Sequence, residues 1–467
     1  MKDNSNEKEI MFTTIRSDSA DQKIELINKL SQENLDDNLI SPLANLLSDD
    51  DKGVRNAVTM FINANRNPKF PQFIVPFVGF HDISVRNLAG EILISLGPLS
   101  IEALTEYNHE NNDDNIKFVV DILGMIGDPS AAIYTMNILS TAENDNVILA
   151  CIETLGDLKY EGAIEILMLF YDRNELYKPT IVEALGKIGS KSSLSFLTEK
   201  FESEDEVTKY SILESFGNIG DIDTYFYLLE LVINVSGPLI LPLITSISVL
   251  KEKYGLDIPY DNRMKSLLMY TMAEGTHTHK KIAFNLVDDF NDKDILCSSL
   301  KLLGDDYELD EMIKSKIFRN PEFLFTEISR VIHLDQPNMR HVLNLFLQII
   351  NYCNEYQIEL NNSAFEIRNI VHSVSGLLSH SDEEVRRASM EILFNLDVTS
   401  ALLFTDTMVN DENSWNRIRL IELVENINDP SVENIVRKFA DDEDEMVRDR
   451  ASFVLNSRIN QLSTNTN

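Results

Sequence analysis

The chain has 467 residues, with 76 acids against 41 bases and a formal net charge of −35 at pH 7. That balance argues against non-specific nucleic-acid binding and against an anionic membrane surface, both of which rest on Lys and Arg meeting phosphates. It favours a basic partner, or solubility alone.

Taken in order, residues 1–37 predict a mobile polar N-terminus, with a capping helix over 24–30. Residues 38–254 predict seven helix pairs, from 39–47 with 53–65 to 223–233 with 238–254, because apolar residues recur at three- and four-residue steps. Pro179 predicts a kink early in the helix spanning 175–188. Residues 255–362 keep that helical spacing but lose the repeated wording. We expect divergent pairs there, with a hinge near Gly255 and Pro259 as the rival reading. The repeat resumes over 363–456, and 457–467 predicts a fraying polar tail.

Two phrases recur. One closes a helix: Leu123-Gly124-Met125-Ile126-Gly127-Asp128, Leu185-Gly186-Lys187-Ile188-Gly189-Ser190 and Phe216-Gly217-Asn218-Ile219-Gly220-Asp221. The closing positions Gly97, Gly127, Lys159, Gly189 and Gly220 recur at a near-constant interval, within the range that marks a solenoid. A glycine past a helix end reaches positive φ without strain. On this reading the glycines are helix ends rather than a phosphate cradle. The other phrase opens a helix with an acid and places a base four residues on: Asp51 with Arg55, Asp82 with Arg86, Asp113 with Lys117, Asp382 with Arg386, Asn413 with Arg417, and Asp444 with Arg448. An i,i+4 pair is worth only a few tenths of a kcal/mol. A ladder in which each base also reaches the acid of the next repeat is therefore expected.

Asp-x-x-Val-Arg followed by Leu-Gly-x-Ile-Gly-Asp resembles the HEAT-like repeat named after phycobilisome lyases, with the fullest copies at 80–97, 113–128, 174–190 and 380–396. The resemblance covers roughly 38–254 and 363–456. It implies an all-α fold, a right-handed α–α superhelix of about thirteen helix pairs. Repeats of this kind serve many functions. Two-iron hydroxylases among them use several His-Glu dipeptides, whereas this chain has one, His109-Glu110. Their DNA glycosylases present a basic face, which this composition opposes.

No catalytic, cofactor or metal constellation stands out. His277-Thr278-His279 places two imidazoles on opposite sides of a helix. Cys151, Cys297 and Cys353 are far apart and suggest free thiols in a reducing compartment. No apolar leader follows Met1, and no run approaches a membrane span. The expectation is a cytoplasmic protein.

One set remains. An acid stands two residues before the Leu, Phe or Val of each closing segment: Glu91, Asp121, Glu153, Glu183, Glu214, Glu391 and Glu422. Their apolar neighbours face the core, so the acids are expected to form an exposed stripe that receives a basic or helical segment of a protein partner. The bland alternative is a solvated helix face. The expected function is a non-enzymatic scaffold or regulatory adaptor, and the resemblance points to bacterial signalling, chemosensory or two-component. The alternatives are a phycobilin lyase and a structural subunit of a larger assembly.

Overall fold

The computed structural model describes residues 11–17, 19–30, 35–108, 112–287, 291–332, 338–359 and 364–464. Among these there is helix and no strand. The chain divides into two compact units. The first is Met1–Leu231 with Val235–Leu256, and the second is Asp257–Asn467 with Val232–Asn234.

The first unit opens with α1 (Ala20–Lys29) and continues as seven pairs: α2 (Asp37–Asn45) and α3 (Lys52–Asn65), α4 (Phe70–Ile74) and α5 (Ile83–Leu96), α6 (Ile101–Glu106) and α7 (Asp113–Ile126), α8 (Ala132–Thr141) and α9 (Asp145–Asp157), α10 (Ile164–Tyr171) and α11 (Lys178–Ile188), α12 (Lys191–Lys200) and α13 (Glu206–Ile219), α14 (Ile222–Leu231) and α15 (Ile240–Tyr254). The second unit has six: α16 (Asn262–Glu274) and α17 (His277–Leu286), α18 (Lys293–Leu300) and α19 (Tyr307–Arg319), α20 (Pro321–Ile332) and α21 (Met339–Glu355), α22 (Ala364–Ser375) and α23 (Glu383–Leu396), the split helix α24 (Val398–Leu403) and α25 (Thr405–Val409) with α26 (Ser414–Val424), and α27 (Ser431–Arg437) and α28 (Glu445–Thr464).

In the first unit each second helix packs on the second helix of the next pair, from α3 through α15, and α1 packs on α3. In the last repeats α21, α23, α26 and α28 stack the same way. Leu93, Leu123, Leu155, Leu185 and Phe216, the apolar residues of the closing phrase, are fully buried.

The chemistry of the repeats sets their boundaries. Asp51, Asp82, Asn112, Asn144, Asp205, Asp382, Asn413 and Asp444 each accept backbone N–H bonds from the first turn they precede, satisfying donors that an α-helix leaves open. At the other end Gly97, Gly127 and Gly189 take φ of 64°, 72° and 79°, as the closing phrase predicts, and Lys159 takes 49° in the same place. Gly220 departs from this, with φ −60°. It is glycine because a Cβ there would lie 2.4 Å from the Phe216 carbonyl oxygen.

Several expectations need correction. Pro179 does not kink a helix: a 3-10 turn, Glu175–Tyr177, precedes it and Pro179 sits in the first turn of α11, where a missing N–H is harmless. The tail is helical through Thr464. Arg458 donates to the carbonyls of Glu425 and Ile427 and ties that extension to the preceding repeat. Residues 11–15 of the predicted mobile N-terminus are helical, with Ile15 buried, while residues 1–10 lie outside the described residues. Among the described residues one stretch, Ile83–Glu106, 24 residues long, is long and apolar enough to cross a membrane by length and composition, against the expectation that no run approaches a span. It is two helices broken at Gly97, with Val85, Ala89, Ile92, Leu93 and Leu96 in the core.

Candidate protein-binding face and the contacts beneath it

The face is built on the second helices, which are locked to one another along each unit. The closing phrase contains two kinds of glycine. The second closes the helix. The first, at Gly124, Gly156, Gly186 and Gly217, lies inside the helix against the next second helix. A Cβ on Gly156 would stand 2.7 Å from the Ala184 Cα, and one on Gly186 2.6 Å from the Ser215 Oγ. For Gly124 and Gly217 the obstacles are the Thr154 and Ser246 hydroxyls, at 2.8 and 2.9 Å. Those hydroxyls donate across the gap: Thr154 to the Val120 carbonyl at 3.2 Å, Ser215 to Val182 at 3.1 Å, and Ser246 to Leu213 at 2.5 Å. Each acceptor lies four residues before its glycine, so the absent side chain lets the next helix reach the backbone. Reading all the phrase's glycines as helix ends is thus corrected.

The opening phrase is also rearranged. Asp51 accepts from the Gly53 and Val54 amides at 2.7 and 3.1 Å, while Arg55 donates to the carbonyls of Asp49 and Asp50 at 2.6 and 3.1 Å. The expected i,i+4 pair does not form, because the cap carboxylate faces the amides and the base turns back to the loop. Arg86 reaches forward to the Asp114 carbonyl at 2.8 Å and lies over the Phe118 ring. In the third repeat the cap is Asn112, not Asp113. Asp113 instead accepts from the Asn144 side chain at 3.1 Å, and Lys117, one place out of register, pairs with Asp121 at 2.7 Å.

The ladder forms, but to a different acid. Arg386 grips Asp411 with Nε and Nη2 at 2.8 and 2.9 Å, while its Nη1 holds the His380 and Ser381 carbonyls at 2.8 and 3.2 Å. Arg417 repeats this on Asp442 at 2.9 and 2.8 Å, with Nη1 on the Asp411 and Glu412 carbonyls. Lys178 reaches Glu204 at 2.9 Å, and Lys23 of α1 reaches Asp49 at 2.7 Å. All these pairs are largely buried. The acids of the three outer rungs, Asp49, Asp411 and Asp442, sit two residues before a cap. Burial pushes the carboxyls of Asp411 and Asp442 up, but their arginines and the loop amides pull harder, so both are held below the usual carboxylate range. Asp382 and Asp444 cap their helices, and Arg448 is held by the Asp442 and Glu443 carbonyls at 2.6 and 3.0 Å.

Above these contacts runs the predicted acid row. Glu91, Glu153, Glu183 and Glu214 are exposed, and Asp121 is half-buried. Glu91 and Glu153 have no ion pair among the described residues. Lys187 stands between Asp157 and Glu183, at 2.7 Å from each. Four residues earlier on the same helix face come Leu149, Pro179 and Tyr210, all half-buried. Burial and the adjacent Glu214 carboxylate push the Tyr210 phenol up. Glu183 and Glu214, with Ser211, Asn218, Thr245 and Val249, line a shallow depression of about 350 Å³ across α11, α13 and α15. The C-terminal members differ: Arg419 binds both Glu391 and Glu422, at 2.9 and 3.0 Å.

Helix pairs that stack second helix on second helix, with caps, close contacts and rungs returning once per repeat, decide the architecture. The fold is a HEAT-type helical-repeat solenoid. Among solved structures the chain is similar to importin beta (10% identity, 96% of this chain and 73% of that one, TM-score 0.44). It is also similar to Kap121p (11%, 94% and 60%, TM-score 0.38) and to UNC-45 from Drosophila melanogaster (14%, 96% and 70%, TM-score 0.29). The chain therefore spans under two thirds of Kap121p. No protein-family model matches the sequence, and no curated protein does.

The His279 ring is within 2.9 Å of the Thr276 hydroxyl at the start of α17, and burial pushes the Cys151 thiol up to about 12, far from a thiolate at neutral pH. Sequence reasoning missed Asp49, Glu204, Asp411 and Asp442. For the last two a signal was present: Asp411-Glu412-Asn413 and Asp442-Glu443-Asp444 are copies one repeat apart.

Proposed function

We propose that this protein is a non-enzymatic cytoplasmic scaffold whose N-terminal repeats dock a basic, amphipathic segment of a protein partner. One observation carries the reading: acids at Glu91, Asp121, Glu153, Glu183 and Glu214 recur once per second helix, beside the half-buried apolar row of Leu149, Pro179 and Tyr210. Neighbouring packed helices lie roughly 10 Å apart, close to the Debye length of about 8 Å at physiological salt. Repulsion between the acids is therefore weak, yet one extended or helical segment meets several of them. Each exposed charge contact is worth about 0.2–1 kcal/mol, so affinity comes from several rungs together with apolar burial. The resemblance of the repeats to those accompanying bacterial chemosensory and two-component systems makes such a system the first place to seek the partner.

The test uses affinity capture from the native cell to identify the partner, then titration with its basic segment at rising salt. Affinity falls steeply with ionic strength if the acid row is the site. A partner whose binding segment is acidic, or whose affinity ignores salt, contradicts the reading.

A further inference from the structure

The shallow depression of about 350 Å³ across α11, α13 and α15 lies where the acid row stops. On α13 and α15 the residues that pack on the preceding helix's glycine are Ser215 and Ser246. Glu214 stands just before the first and Thr245 just before the second, so α15 carries a hydroxyl at the row's place. Four hydroxyls line the depression, and each commits its proton to a helix carbonyl: Ser211 to Val207 at 3.4 Å, Ser215 to Val182 at 3.1 Å, Thr245 to Leu241 at 2.9 Å and Ser246 to Leu213 at 2.5 Å. A carbonyl only accepts, so the direction of each bond is fixed, and these oxygens have lone pairs alone to offer an occupant. Ser215 and Ser246 are almost fully buried, at 3% and 1% exposure. Glu183 and Glu214 add two carboxylates. Lys187 takes a bond from Glu183, and Glu214 receives the Tyr210 phenol, but a carboxylate has further lone pairs. The Asn218 carboxamide can turn either edge inward. Lys187 is the cation of the lining, and it is already held at 2.7 Å by both Asp157 and Glu183. A lining that mostly accepts fits an occupant that mostly donates.

We propose that this depression seats one arginine side chain of the docked partner segment. The proposal rests on the docking reading of the acid row and names what that segment must carry where the row stops. A guanidinium brings five N–H donors in one plane and no acceptor, whereas an ammonium brings three on a point charge that holds its water more tightly. Acceptors contributed by α11, α13 and α15 meet such a plane from more than one side. Val249, 42% exposed, supplies an apolar wall for the aliphatic stem. The charge agrees, because Glu183 and Glu214 against Lys187 leave the lining one net negative charge. The volume lies at the small end of ligand pockets, which suits a single long side chain. The acid row thus selects a basic stretch by charge, and the depression fixes its register by requiring arginine at one place.

The probes are two synthetic peptides, hexa-arginine amide and hexalysine amide, matched in length and charge. Titration calorimetry on the full chain gives their affinities. The Val249 methyl resonances, assigned by their loss in Val249→Ala, report the depression itself. Hexa-arginine should bind about tenfold more tightly than hexalysine, equivalent to about 1.4 kcal/mol, and should shift the Val249 methyls saturably. Val249→Phe fills the depression from an exposed, neutral position. It should bring hexa-arginine down to the hexalysine affinity and leave hexalysine within about twofold. Glu91→Lys, on α5, should weaken both peptides alike and keep their ratio. A preference for arginine that survives Val249→Phe overturns the proposal, as does a hexa-arginine complex in which the Val249 methyls stay still. Equal, salt-sensitive binding of the two peptides overturns the arginine seat and leaves the docking row standing. Unchanged binding in Glu91→Lys, with the preference lost in Val249→Phe, keeps the seat and sinks the row. No binding of either peptide at low salt overturns both.

Discussion

The N-terminal repeats from α7 to α15 and the C-terminal repeats from α23 to α28 lock their second helices by different physics. In the first, glycine and small residues bring backbones together, and Thr154, Ser215 and Ser246 donate directly to the neighbouring helix. In the second, the residues twelve past the cap are Phe394 and Glu425 rather than glycine, and the helices are clamped at their N-terminal ends by Arg386–Asp411 and Arg417–Asp442. The exchange is partial, because Lys178, four residues past the cap Asn174, keeps a buried rung to Glu204. Four residues past the caps Asn112 and Asn144, where a rung base would sit, stand Ile116 and Ile148. The difference bears on function. The glycine and hydroxyl contacts use no charge, and among the described residues Glu91 and Glu153 are free of ion pairs, while Asp121 and Glu183 pair with Lys117 and Lys187 of their own helices. The arginine-rich end ties up Glu391 and Glu422 with Arg419.

The comparison can be broken from either side, and the largest effect belongs to the clamp. Arg417→Ala leaves Asp442 buried without its partner, and removing one side of a buried pair costs about 3–5 kcal/mol. Urea unfolding should show that loss, with the damage confined to neighbouring repeats. A loss under about 1 kcal/mol would mean that the rung is only decorative. Gly156→Val comes next. Its Cβ meets the Ala184 backbone, which cannot swing away as a side chain can, and overpacking costs about 1–3 kcal/mol or more. A wild-type melting temperature would show that the close approach is soft.

Acid sharpens the contrast. Asp411 and Asp442 have folded-state pKa values below the ordinary one, so their stabilisation is complete above the unfolded value of about 3.9 and is lost as pH falls through the folded values. Because they are buried, the C-terminal repeats should loosen first. Trp415 emission should therefore change at higher pH than the bulk helix signal in circular dichroism. Coincident transitions would say that both regions share one acid limit. The smallest effect is a gain. Lys159 occupies the left-handed position that Gly127 and Gly189 fill in neighbouring repeats, and a side chain there costs about 1–2 kcal/mol. Lys159→Gly should raise stability by about 1 kcal/mol, as read by the melting temperature.

Much of this architecture was legible. The period, the caps at Asp51, Asp82 and Asp382, and the left-handed ends at Gly97, Gly127 and Gly189 are local rules that one strand of text displays. The acids of the row could be placed because their buried neighbours fix the helix face. What the text hid was contact between repeats. A glycine that ends a helix and one that admits another helix are written alike, so Gly124 and Gly186 look like ends in the sequence. Rung acids lie 25 or 26 residues from their bases, short of the full repeat, so a search at the repeat period found the caps instead. Lys117 shows the limit of spacing alone: counted from Asp113 it fits the phrase, but the true cap, Asn112, puts it one position out.

The proposed docking contrasts an N-terminal row in which Glu91 and Glu153 carry no ion pair among the described residues and Asp121 and Glu183 meet a lysine of their own helix with a C-terminal row whose Glu391 and Glu422 share Arg419. The most direct measurement compares two charge reversals in proteins of unchanged helicity, using the captured partner's basic segment. Glu153→Lys with Glu183→Lys and Glu214→Lys should weaken binding about tenfold or more, equivalent to about 1.4 kcal/mol, and remove most of its salt dependence. Glu391→Lys with Glu422→Lys should leave affinity within about twofold, because those acids already face Arg419. Equal losses from both sets, or a larger loss from the C-terminal pair, would contradict the account.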